Sequence, residues 1–122
     1  KLSMPKLKDP VTIDDYQVQS RSAIISPLYS TTVGDIKYVT IAIAEEAGEI
    51  AGKIKKLIRD HNGQLDDEIK AGLVKEIGDV QWYLARLCDL LDIPMSEVLK
   101  TNFEKIMSRK NRGTIHGSGD DR

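Results

Sequence analysis

The sequence predicts an all-α fold, a four-helix antiparallel bundle, on three observations. No stretch of its 122 residues alternates apolar and polar side chains with a period of two. Two long stretches instead carry apolar residues at helical spacing. One holds Ile36, Val39, Ile43, Ala47, Ile50, Ile54 and Leu57; the other holds Leu73, Ile77, Val80, Leu84, Leu87 and Leu91. The connections between helical stretches are short, which favours antiparallel neighbours.

Residues 1–11, with two prolines and three lysines, read as an extended arm, and Lys1-Leu2-Ser3 as a cloning remnant ahead of a native start at Met4. Thr12 and Asp15 form a capping box that opens a first helix from about Ile13 to Ile25, ended by Ser26-Pro27. After a Ser- and Thr-rich loop at 28–33, a second helix runs from near Gly34-Asp35 to about Asp60. His61-Asn62-Gly63 stops it, Gly63 suiting a left-handed cap. Asp66 caps a third helix from about Asp67 to Leu91, and Ile93-Pro94 ends that one. Ser96 caps a fourth, to about Arg109. Residues 111–122, three of them glycine, read as a flexible tail. No internal repeat or second domain is visible, so residues 1–122 form one domain.

Composition narrows the function. A net charge of −1 gives no basic signature for nucleic acid. The lone cysteine, Cys88, forms no internal disulfide, which fits a reducing cytosol. No apolar run approaches a membrane span, and no apolar h-region marks secretion. A chain this short buries a modest core, and the long apolar stripes predict a homodimer or homotetramer.

The chemistry concentrates in two acidic motifs. Glu45, Glu46 and Glu49 fall within an arc of roughly 100° on the second helix, where like charges four apart weaken an isolated helix. Solvent, lysine or a metal must offset them. Glu76 and Asp79, three apart, share a face of the third helix. Glu49 lies 14 residues before Gly63 and Glu76 lies 13 after it, so an antiparallel pairing brings the two acidic patches to one height. Five converging carboxylates call for a cation, and oxygen ligands suit Mg²⁺. Either motif alone would read as a solvated acidic face; the matched distance from the turn favours convergence. His61 and His116 fall in a loop and the tail, and Cys88 sits among leucines. A Cys–His or Ser–His nucleophile is therefore disfavoured against metal-activated water.

Glu45-Glu46-x-x-Glu49, 26 intervening residues, then Glu76-x-x-Asp79 resembles the MazG-like family of all-α nucleoside triphosphate pyrophosphohydrolases. The flanking Ala44-Glu45-Glu46-Ala47-Gly48-Glu49 and Gly78-Asp79-Val80-Gln81-Trp82-Tyr83-Leu84 are similar too. The resemblance implies that Glu46, Glu49, Glu76 and Asp79 hold Mg²⁺, with Mn²⁺ a substitute. It implies that Glu45 is a further ligand or the group that orients or deprotonates the attacking water. The implied reaction cleaves a nucleoside triphosphate, the deoxy form favoured, between the α and β phosphates. It yields a monophosphate and pyrophosphate for nucleotide-pool control in a bacterial or phage-infected cytosol. The alternatives are a same-fold hydrolase of another phosphorylated nucleotide, dUTPase-like or of phosphoribosyl-ATP type, and a non-enzymatic helical dimerisation module.

Asn102, Lys105 and Arg109 share one face of the fourth helix. By the same resemblance Lys105 and Arg109 grip phosphates and Asn102 supports a carboxylate or the sugar; the plain reading is a basic last turn complementing the helix dipole. Lys53 reads either as a phosphate contact or as the partner of Glu49. Trp82 and Tyr83 either stack on base or ribose or serve core and interface. The tail is either free or closes over the site.

Overall fold

The computed structural model describes residues 10, 12–23 and 32–122. The chain is all-helical over these residues, with four α-helices and no strand. The expected arm, apart from Pro10, and the Ser26-Pro27 stop lie outside them.

Helix α1 (Ile13–Ser20) opens on the expected capping box: the Asp15 N–H donates to Thr12 Oγ1 and the Thr12 N–H to Asp15 Oδ2, both at 3.0 Å. It is shorter than predicted, because a 3₁₀ turn (Arg21–Ala23) takes over after Ser20; Ile25 lies outside the described residues. Helix α2 (Thr32–Asp60) starts two residues before Gly34. It stops at Asp60 as predicted, with Asn62 (φ 53°) and Gly63 (φ 71°) in the left-handed region and the Gly63 N–H returning to the Leu57 carbonyl. Helix α3 (Asp67–Leu90) is capped by Asp66, whose carboxylate accepts from the Ile69 N–H at 2.8 Å.

Helix α4 (Met95–Arg112) corrects one expectation. Ser96 is not its cap; Pro94 holds that position, and its ring has no polar atom to cap with. The free N–H groups of the first turn are met from α1 instead. Met95 N–H donates to Gln17 Oε1 at 2.7 Å, and Ser96 donates through N–H and hydroxyl to the two Asp14 oxygens. Gln17, itself buried, returns a bond to the Ile93 carbonyl. Helix α4 also runs past Arg109 to Arg112, where Gly113 (φ 70°) caps it.

The main packing is the antiparallel pair α2–α3. Helix α1 lies against α3 and α4; Arg21, just past its end, pairs with Asp89 of α3, and Arg86 of α3 donates to the Ser20 hydroxyl as well as to Asp89. Val39, Leu57, Ala85 and Met95 are buried, but the predicted stripes are only partly covered: Ile77 is 48% exposed and Leu91 49%. Ile41, Ile58, Val74 and Phe103 are exposed as well, so a single protomer leaves much apolar side chain in water.

Candidate active site

Two helices supply the acidic centre. Antiparallel pairing sets Glu46 of α2, 17 residues before Gly63, opposite Asp79 of α3, 16 after it. One carboxylate oxygen each from Glu46, Glu76 and Asp79 lies within 4.8 Å of the others. Such a group can hold a metal ion. Burial pushes the Glu46 carboxyl above its ordinary value, and the neighbouring charges of Asp79, Glu45, Glu76 and Glu49 push it the same way.

The structure sorts the remaining acidic residues. Glu49 is exposed and lies outside the three-carboxylate group. Glu45 faces a cleft of about 430 Å³ beside that group, lined also by Gly34, Lys37, Tyr38, Ile41 and Tyr83. The Tyr83 hydroxyl titrates above its usual value, mainly through burial and then through Tyr38, Glu46, Glu45 and Asp79, so cleft and carboxylates are electrostatic neighbours. Lys53 pairs not with Glu49 on its own helix but across the hairpin with Glu76, Nζ to Oε1 3.5 Å.

The residues expected on α4 are placed differently. Asn102 and Lys105 line a separate cleft with Glu97, Val98 and Thr101. Arg109 is buried and its guanidinium donates to the carbonyls of Gly119 and Asp120. Lys105 lies 3.5 Å from the Asp120 carboxylate. The tail curls back on α4, and Arg122 donates to the carbonyls of Thr114, Ile115 and Gly119. Trp82 is half-buried beside Tyr83.

Three neighbours of the centre escaped the sequence reading. Tyr38 and Lys37 precede Glu45 by seven and eight residues, so they continue its face by two turns; that spacing was available in the sequence. Tyr16 of α1 is raised in pKa by burial and then by Asp79. Nothing local in the sequence announces it, because its position depends on how α1 docks.

A family model described as the MazG nucleotide pyrophosphohydrolase domain matches residues 36–114. The chain belongs to that family. The matched segment of this MazG domain spans nearly all of α2, then α3 and α4, and both acidic motifs, while α1 precedes it. The chain is also similar to the "Gene 37 protein" of Mycobacterium phage L5, 42% identical over 112 residues that cover 90% of this chain and 98% of that relative. No solved structure matches it. Among the described residues, no helix is long and apolar enough to cross a membrane.

Proposed function

We propose that this MazG domain is an Mg²⁺-dependent pyrophosphohydrolase of nucleoside triphosphates, the deoxy forms favoured, cleaving between the α and β phosphates. The observation that carries the reading is the convergence of Glu46, Glu76 and Asp79, from two helices, beside a cleft that holds two tyrosines. The donor set fits the ion. All three ligands are hard oxygens, as Mg²⁺ and Mn²⁺ take. Their oxygens lie within 4.8 Å of one another, close to the roughly 4.2 Å that opposite ligands of one Mg²⁺ span.

Glu46, Glu76 and Asp79 hold the cation, and Glu49, three residues along α2, completes the set when its side chain turns in. A cation held there would lower the pKa of a bound water and screen phosphate charge. Glu45, at the mouth of the cleft, accepts the proton from the attacking water at a carboxylate oxygen. The nucleoside end lies in the cleft, with Tyr83 and Tyr38 against base and ribose and Lys37 in its lining, while Trp82, next to Tyr83 in the chain, is a further candidate for stacking. Lys53 serves the phosphates on the side of the hairpin turn. Asn102, Lys105 and Arg109 would serve phosphates from α4 only after a rearrangement, since in the protomer Asn102 and Lys105 line a separate cleft and the tail engages Lys105 and Arg109. The exposed apolar faces support a homodimer or homotetramer, and the chemistry fits a cytosolic house-cleaning role.

A panel of canonical and modified dNTPs with Mg²⁺, assayed for pyrophosphate release, tests the proposal. Monophosphate and pyrophosphate are expected as products, and Glu76→Gln should lower the rate at least roughly a hundredfold, since weakening even the support behind a metal ligand costs 10–100-fold. Release of inorganic phosphate alone, or no hydrolysis of any triphosphate, would refute it.

A further inference from the structure

The three-carboxylate group already has a cation of its own. Lys53 leaves α2 at a position from which its stem crosses α3 above Gly72. A methyl group at Gly72 would lie 3.5 Å from Nζ and 3.7 Å from Cδ and Cε. Gly72 precedes Glu76 by one helical turn, so this path delivers the ammonium to the Glu76 carboxylate, 3.5 Å away. The Glu76 side chain is only 18% exposed, so its charge depends on protein partners more than on water.

We infer that Lys53 is a displaceable counter-ion: its ammonium occupies Glu76 while the carboxylate group is free of metal, and a divalent cation entering that group turns it out. This rests on the reading of Glu46, Glu76 and Asp79 as a cation site. Two arguments carry it. Glu76 belongs at once to the ion pair and to the three-carboxylate group, so ammonium and metal compete for the same oxygens. The displaced side chain also has somewhere to go. A cleft of about 240 Å³ on the turn side is lined by Lys53 with Lys56, His61 and Glu68. Lys53 thus becomes a positioning residue: it is free to meet a phosphate only once the metal is bound, which orders the two ligands.

The experiment is calorimetric titration of the full chain with Mn²⁺ alone, at fixed ionic strength, for wild type, Lys53→Met and Lys53→Arg. Removing the competing charge should tighten Mn²⁺ binding by about five- to tenfold, the low end of typical couplings because the pair is partly exposed and screened. Lys53→Arg, which keeps the charge, should stay near wild type. A lysine that merely ties α2 to α3 would lower the melting temperature of Lys53→Met and leave its Mn²⁺ affinity unchanged; that result, or weaker binding, overturns the inference. If wild type and Lys53→Met both fail to bind Mn²⁺, the cation site itself is wrong and the inference falls with it. Binding of equal strength in the two refutes the role of Lys53 alone. Circular dichroism of each variant confirms that the helices are retained.

Discussion

Glu46 is held half-buried among like charges, and burial first, then the charges of Asp79, Glu45, Glu76 and Glu49, raise its pKa. Glu46→Gln should therefore raise the melting temperature of the metal-free protein, and, if the proposed cation site is right, should abolish any further rise on adding Mg²⁺. Thermal scans with and without Mg²⁺ would check both signs. The residue scale is also where sequence reading was sharpest and where it failed. Glu46, Glu76 and Asp79 were readable because spacing fixes a helix face and a count to Gly63 fixes a height. Glu49 passes the same two tests, yet its side chain is exposed and outside the group of three, because face and height do not fix a side chain's rotamer. Lys53 was weighed against Glu49 on its own helix, but its four-carbon stem reaches the facing helix as easily. Tyr16 could not be read at all, since it reaches Asp79 only through the docking of α1.

At the scale of elements, helix existence and order were legible, along with the Thr12–Asp15 box, the Asp66 cap and the Gly63 turn. Those signals act within a few residues. The start of α4 was misread because its cap comes from Asp14 and Gln17, about 80 residues earlier in the chain and invisible to a local rule. Gln17→Ala should leave the Met95 N–H and Ile93 carbonyl unpartnered and cost about 2 kcal/mol in denaturant unfolding. The same junction sets an acid limit. Hydrogen bonds from the Ser96 hydroxyl and N–H hold Asp14 below the usual carboxylate range; Arg21, then Arg86, hold Asp89 there against burial. Both bind protons less readily folded than unfolded. Their stabilisation is complete above the ordinary Asp range and is lost as pH falls through it to the lowered values. Asp89→Asn should flatten that loss in unfolding curves recorded at falling pH.

For the whole molecule, the decisive quantity is apolar surface. With Ile77 48% and Leu91 49% exposed, one protomer leaves its predicted stripes partly uncovered although each has regular helical spacing, and Val74 (67%) and Phe103 (65%), outside the stripes, add further exposed apolar surface. A pattern shows which face is apolar; it does not show whether the covering surface belongs to the same chain. Sedimentation velocity should find an assembly larger than the 13.6 kDa chain. Introducing aspartate at Val74 and Ile77 together should shift it towards monomer while circular dichroism stays helical. A wild type that sediments as a monomer at micromolar concentration would exclude the oligomer.

The clasp of α1 on the α3–α4 junction bears on the order of folding. The α2–α3 hairpin joins residues close in sequence around Gly63, and such contacts form fast. The bonds from Gln17 to Ile93 and from Asp14 to Ser96 close loops of 76 and 82 residues, a slower search that can succeed only when α4 has a first turn to offer. The acidic centre on the hairpin would then assemble before α1 arrives, and Tyr16 would reach it last. In native-state hydrogen exchange, α1 amides should open at a lower free energy than those of α3, as a separate unit of local unfolding. The neighbourhood of Asp79 would loosen with them while Glu46 and Glu76 kept their places.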